Sequence, residues 1–411
     1  MKKAVITGIG AITSAGIGWK MLWNSVIRGE SGIGPVSLFP SQRYRTRIAG
    51  EVKNFDATLY LPEKLIDNSD RFTQFAIGAT HLALDDSRLT LTPNRRDTGV
   101  ILGCGMGGLS FFEQQSAIFA KKGPGFIRPT SVPRIMTNAA AAHIAALWKI
   151  RGPNLTISTA CSSSNHAIGT ALDMIRSGRA KVVLCGGTES LMSPITFAAF
   201  DTLRVMSLQN ETPKQAYKPF DRNRDGFVMG EGAVIFVLEE QAHAHERGAS
   251  IYAEVAGYGA SNGTYKILTA EPDGLEASES MESALEDASL ALQDIGYIHA
   301  HGTGTQSNDL SETLAIKKTF GVHAKKIPIS STKPITGHML GAAGAMGVLI
   351  STLAIHMSVI PHTLNYETPD PACDLDYVPG QPRHVPLKAT LSNAFAFGSN
   401  NATIVLRQEK L

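Results

Sequence analysis

Short apolar runs rich in Val, Ile and Leu alternate along the chain with longer stretches whose apolar positions recur every three or four residues. The short runs predict buried strands at 3–8, 98–102, 155–158, 181–185, 233–238, 253–258, 295–300, 327–330 and 403–406. The longer periodic stretches predict helices at 70–86, 138–148, 163–177, 277–291, 311–320 and 341–356. Alternation of this kind belongs to α/β architecture. Val5-Ile6-Thr7-Gly8-Ile9-Gly10 reads as a strand entering a tight turn. A break near 247–250 follows a charged helix at 239–247 and divides the chain into 1–248 and 249–411. The halves look alike. Each opens with a strand ending in glycines, and each later delivers a reactive residue from a strand to a helix, Cys161 in the first and His301 in the second. This hints at a duplicated α/β unit, although no fixed short repeat is visible.

Composition narrows the classes. The 411 residues hold 38 Lys+Arg against 36 Asp+Glu, a net charge of +2, which excludes a dedicated nucleic-acid binder with its strong basic excess. A local basic patch for an acidic partner stays open. Only 18% of residues are charged, so much of the surface is expected inside the fold or against another subunit. An apolar content of 43% excludes low-complexity disorder. The four cysteines show neither zinc-site spacing nor the density of a disulfide scaffold, and point to a reducing cytoplasm. Lys2 and Lys3 precede an apolar stretch too broken by Gly, Ser and Thr for a signal peptide. The uncharged stretch 339–355 is shorter than the roughly 20 residues a membrane span needs, and reads as a buried central helix.

Four segments carry candidate chemistry. In Ser158-Thr159-Ala160-Cys161-Ser162-Ser163 the cysteine stands at a strand-to-helix turn, where unpaired N–H groups and the helix dipole favour thiolate. The segment alone also fits a buried core cysteine. In His299-Ala300-His301-Gly302-Thr303-Gly304-Thr305 strand alternation puts both histidines on one face, with 301 at the strand end beside glycines that permit close approach by a ligand. A plain turn with a satisfied histidine fits as well. Lys333 and His338, in Thr332-Lys333-Pro334-Ile335-Thr336-Gly337-His338, stand at the lip of the apolar helix and read either as site residues or as solvated loop. Asn393-Ala394-Phe395-Ala396-Phe397-Gly398-Ser399-Asn400-Asn401 offers backbone N–H groups to an oxyanion, or makes an ordinary turn.

Together with Arg224-Asp225-Gly226-Phe227-Val228-Met229-Gly230-Glu231-Gly232-Ala233, these segments resemble, in order and over nearly the whole chain, the β-ketoacyl-acyl-carrier-protein synthases of the thiolase superfamily, closest to freestanding type II enzymes. The resemblance implies two α/β halves with five-stranded sheets in a five-layered αβαβα arrangement, paired as a dimer. It implies Cys161 as the nucleophile, His301 and His338 for decarboxylation and condensation, and Lys333 as electrostatic organiser. The backbone N–H groups of Cys161 and Phe397 would form the oxyanion hole, with Phe397 also gating. Met106, Phe200, Thr130, Ser131 and Ala396 would shape the acyl pocket, Thr303 and Thr305 would touch the substrate arm, and Lys64, Arg128 and Arg204 would meet the carrier protein. No cofactor or metal is implied, since substrates arrive as phosphopantetheine thioesters. The partners implied are acyl carrier protein and a second subunit, either another copy or a chain-length factor.

Some positions depart from the elongation enzymes. Gly347 stands where they usually carry glutamate, and Phe395-Ala396-Phe397-Gly398-Ser399-Asn400 differs from their Phe-Gly-Phe-Gly-Gly-Thr. Ala396 and Ser399 are expected to stiffen the gate, and Thr130 and Ser131 in place of bulky aromatics predict a wider or more polar pocket. These departures lean toward polyketide or polyene synthesis over fatty-acid elongation. A non-catalytic chain-length factor would lack the cysteine, and a coenzyme A-dependent priming enzyme would show Cys–His–Cys or Cys–His–Asn.

Overall fold

The computed structural model describes residues 1–409. The first half contributes β1 (Ala4–Thr13), β2 (Thr98–Gly103), β3 (Asn154–Ile157), β4 (Val182–Glu189) and β5 (Gly232–Glu240). The second contributes β6 (Ala253–Asn262), β7 (Ile295–His299), β8 (Ile329–Ser330), β9 (Ala389–Phe395) and β10 (Asn400–Arg407). The spatial order is β1-β5-β4-β2-β3 in one half and β6-β10-β9-β7-β8 in the other, the same permutation of first to fifth strand. The senses match as well. In each half two antiparallel pairings are followed by two parallel ones. The halves join edge to edge where β1 and β6 pair antiparallel, Ala4 opposite Val255 and Ile6 opposite Ala253. Shared order and shared sense establish the duplication that the sequence only hinted at.

Hydrophobic cores fill the boundaries between five layers. Helices α1 (Arg71–Ser87) and α2 (Ala139–Leu147) cover the outer face of the first sheet through Phe72, Phe75 and Ile144 against Val100 and Ile235. The central helices α3 (Ser163–Arg176) and α6 (Ala343–Met357) lie between the sheets, with Leu172 and Leu353 packed among Phe236 and Ile404. Helices α4 (Leu275–Ala288) and α5 (Gln306–Phe320) close the far side through Met281 and Phe320 on Ile298 and Val405. Alternation along the strands feeds these layers, since Ile235 and Phe236 enter different cores, as do Ile404 and Val405. The apolar stretch of the sequence is α6, and its lack of charge follows from having no solvent face: the window Leu340–Met357 is 89% buried.

The predicted tight turn at Gly8-Ile9-Gly10 is not one, because β1 continues to Thr13. Its glycines instead let α1 lie on the sheet. A Cβ at Gly10 would stand 1.8 Å from the Ala79 carbonyl oxygen, and one at Gly8 would stand 2.3 Å from that of Ala83. The second half repeats the device. β6 runs on to Asn262, and a Cβ at Gly259 would stand 2.2 Å from the Ser280 carbonyl of α4. The charged helix is shorter than expected, Gln241–Glu246, because Glu239 ends buried in β5 against Arg247 and His243. The sequence reading also passed over β9 and the helices Trp19–Arg28, Leu109–Lys122 and Pro194–Thr202.

Candidate active site

Each central helix is preceded by one tight turn of helix, Ala160–Ser162 before α3 and Leu340–Ala342 before α6. Both turns open on a residue in the left-handed region, Ala160 at φ 48° and Leu340 at φ 47°. Duplication therefore sets Cys161 opposite Gly341, one position after each of these strained residues. The sequence reading paired Cys161 with His301, and the topology corrects this. Cys161 follows the third strand of its half, whose counterpart β8 delivers Lys333, whereas His301 follows the second strand, β7.

Cys161 Sγ lies 3.1 Å from His338 Nε2. The family-like segment at 224–233 holds this histidine in place. Its main-chain N–H donates to Val228, its carbonyl accepts from Gly230, and Phe227 sets an edge against the imidazole. The His301 ring stands 5.5 Å from that of His338, centroid to centroid. The peptide unit of His301 is gripped from two sides. The Glu312 carboxylate of α5 accepts from the N–H groups of His301 and Gly302, each at 2.8 Å, while the Lys333 ammonium donates to the His301 carbonyl. Asn393 Nδ2 adds a bond to Glu312 at 3.2 Å. Glu312 appeared in the sequence only as one polar residue of a helix start; nothing local marks a carboxylate whose partners lie 10 and 11 residues upstream.

Burial dominates the electrostatics. It pushes the Cys161 thiol up to about 12, with Lys333 and the N–H groups of Phe397 and Cys161 pulling the other way and Glu189 adding to the rise. The expectation that the helix terminus leaves a thiolate is thereby corrected: desolvation outweighs the helix dipole, and the resting group is a thiol. Burial and the Lys333 charge hold His301 and His338 well below the usual histidine range, so both rings are neutral. Burial likewise lowers Lys333 to about 8 and raises Glu312 to about 7. Glu189, also raised to about 7 by burial, accepts from the N–H groups of Gly105, Met106 and Gly341 and so ties the loop after β2 to the turn before α6. The sequence reading missed it, since a glutamate at a strand end carries no signal of this role.

These groups open on a cleft of about 880 Å³ lined by Cys161, His301, His338, Thr303, Thr305, Phe200, Ala396 and Phe397. Thr303 and Thr305 share a hydroxyl–hydroxyl bond at its wall. Ser307, Asn308 and Ser311 make the lining mixed rather than purely aliphatic. Met106, Thr130 and Ser131 do not line it; Met106 is exposed and the other two are half-buried. Lys64, Arg128 and Arg204 are exposed, and Arg204 precedes Val205 of the lining. The loop carrying Phe397 is tied down: Gly398 N–H donates to Ile267 O at 2.6 Å, Ser399 Oγ to Lys266 O at 3.0 Å, and Gly263 N–H to Ser399 O at 2.8 Å. His299, predicted on the same face as His301, is not in the cleft. β7 ends at His299, and left-handed Gly302 and Gly304 turn the chain so that His301 alone faces Cys161.

A duplicated five-layer α/β fold with a Cys–His–His cleft and a buried lysine defines a condensing enzyme of the thiolase type. Family models for the β-ketoacyl synthase N-terminal and C-terminal domains match residues 1–244 and 252–367, and the chain belongs to the β-ketoacyl synthase family, an acyltransferase family. It is 42% identical over 408 residues, 99% of this chain and 98% of the relative, to 3-oxoacyl-acyl-carrier-protein synthase 2 of Synechocystis sp.. The same-named protein of Coxiella burnetii is 40% identical over 98% of both chains. Among solved structures, a type II polyketide synthase ketosynthase, in complex with its acyl-carrier protein and bound to the hexaketide, superposes with TM-score 0.93 at 32% identity over the whole of both chains. The ishigamide ketosynthase/chain length factor gives the same values, and a β-ketoacyl synthase from Burkholderia phymatum gives 0.92 at 33%.

Proposed function

We propose that the protein catalyses the decarboxylating Claisen condensation of an acyl thioester with malonyl acyl carrier protein, giving 3-oxoacyl carrier protein and CO₂. The carrying observation is Cys161 Sγ at 3.1 Å from His338 Nε2 in a cleft that His301 also lines. Since the resting sulfur is a thiol and His338 is neutral, attack begins with transfer of the thiol proton to His338. The thiolate adds to the acyl carbonyl, and the carrier thiol leaves with that proton. The N–H groups of Cys161 and Phe397, which pull the thiol's value down, would hold the tetrahedral oxygen. Malonyl carrier protein then takes its place. The bond to the carboxylate breaks, CO₂ departs, and the electron pair forms an enolate. A neutral imidazole carries one N–H: His301 donates it to that oxygen, and His338 does so in the tautomer with its proton on Nε2. The enolate carbon attacks acyl-Cys161 and expels the thiolate, which takes a proton from solvent to restore the thiol. No cofactor takes part, because both acyl groups arrive on phosphopantetheine arms that would run past Thr303 and Thr305. Lys64, Arg128 and Arg204 would meet an acidic carrier protein, Met106, Thr130 and Ser131 would complete the acyl end beside a second subunit, and the four buried free cysteines suit a cytoplasmic setting. The halves 1–248 and 249–411 supply the nucleophile and the His–Lys–His set respectively.

Intact-protein mass spectrometry tests this. An adduct on Cys161 after mixing with acyl carrier protein, lost as 3-oxoacyl carrier protein appears on adding malonyl carrier protein, supports it; no adduct with any acyl donor sinks it. A second reading has specific support. Two solved neighbours are ketosynthases with chain length factors, and β3 leaves a sheet edge unpaired among the described residues, with Leu155 exposed. On this reading the chain is the catalytic half of a heterodimer in type II polyketide or polyene synthesis, and an adduct that forms but never condenses until such a factor is added would favour it.

A further inference from the structure

His299 is buried behind the cleft, 2% exposed. It stands opposite Ser330 of β8 and Ser392 of β9 in the sheet. On one side its Nε2 shares a 3.0 Å hydrogen bond with Thr332 Oγ1. On the other, the ring faces α6 at Gly347, where a Cβ would stand 2.8 Å from His299 Nδ1 and 2.6 Å from Ser392 Oγ. The ring can hold this place only because position 347 has no side chain.

The contact with Thr332 is one of four that clasp two active-site loops together. Ser330 O accepts from Ala300 N–H, Ser331 Oγ donates to Gly302 O, Thr332 Oγ1 bonds His299, and the Lys333 ammonium donates to His301 O. Successive residues 330–333 thus each bond one residue of 299–302, and His299 is the member of the clasp wedged against a helix. Beside it lies a narrow gap lined by Lys333, Thr332, Thr336 and Met346, so the lysine is packed on this side by the clasp itself.

We propose that His299 and Gly347 form one positioning unit: α6 seats the imidazole against Thr332, and the next residue, Lys333, is thereby held on His301. His299 touches neither the cleft nor the reacting atoms. Burial and the Lys333 charge lower it to about 3, so the wedge stays neutral and adds no repulsion beside the ammonium. The inference rests on the functional reading above, in which His301, held by Lys333, serves decarboxylation while Cys161 takes the acyl group.

The test separates two half-reactions in the full-length protein: the acyl adduct on Cys161, read by intact mass, and CO₂ release from malonyl carrier protein by the acylated enzyme. His299→Leu and Gly347→Ala should each slow CO₂ release about tenfold or more, while adduct formation stays within about threefold. His299→Gln, which keeps a hydrogen-bonding group, should recover most of the loss. The double variant His299→Ala/Gly347→Ala should be no worse than His299→Ala, because the two residues act through the same contact. Equal slowing of both half-reactions, multiplying effects in the double variant, unchanged CO₂ release, or loss of folding in all four single variants would each overturn the proposal. A wild type that does neither half-reaction overturns the functional reading and this proposal with it, whereas an active wild type with insensitive variants overturns the proposal alone.

Discussion

At the scale of single residues, burial decides what each group can do. Cys161 is a thiol with a proton acceptor 3.1 Å away, not a standing thiolate. Its alkylation by iodoacetamide should therefore rise about tenfold per pH unit from pH 7 to 10 with no plateau near the roughly 8.5 of a free thiol, as read by peptide mass spectrometry. Replacing His338 by Ala removes the acceptor and should slow acyl transfer about 10²-fold or more, within the usual range for a general base. Lys333 gives a pH dependence whose sign can be worked out. Its charged form holds His301, and that form is lost as pH rises through about 8, so condensation should decline above that value. Glu312 is the largest influence holding the lysine's value up. Glu312→Gln should thus lower Lys333 further and move the alkaline limb of the pH–rate profile to lower pH; a limb that stays put or moves up would contradict the assignment.

At the scale of elements, the glycines of β1 and β6 matter more than their turn-like pattern suggested. The hydrophobic pattern placed most long strands and helices, because a strand buried on both faces is a continuous apolar run whatever it packs on. It could not reveal that Gly8-Ile9-Gly10 continues the strand, since the reason is a helix backbone some 70 residues away. Gly10→Ala and Gly259→Ala should each cost about 3 kcal/mol, the upper range for overpacking, as measured by urea denaturation. Gly125→Ala, with nothing among the described residues within 4 Å of the added Cβ, should stay within about 0.5 kcal/mol. Strand β9 escaped notice because Thr390, Ser392 and Asn393 interrupt its apolar pattern; all three are buried.

At the scale of the whole molecule, the sheet ends in β3, whose outer edge has no partner among the described residues. Leu155 there is 42% exposed, and Phe112, Phe119, Phe126 and Val132 are more exposed still. An open strand edge and exposed apolar side chains suit a second subunit of like fold. Light scattering should show a dimer, of two copies or with a chain-length factor, and Leu155→Arg should shift it to monomer; a monomeric wild type, or a variant that stays dimeric, would count against this edge as the interface.

Cys161, His301, Lys333 and His338 were all legible in the chain as motifs in a particular order, because glycines, small residues and a strand-to-helix turn mark places where backbone and ligand come close. The α/β class was legible because apolar periodicity reflects burial directly. Proximity was not. His338 reaches Cys161 across 177 positions, Glu312 and Lys333 meet on one peptide unit, and Glu189 joins two loops, all as products of how two copies of one strand order stack on a shared pair of helices. Protonation was not legible either. Local cues around Cys161 favour thiolate, and only the closed fold, by removing water, makes the thiol win.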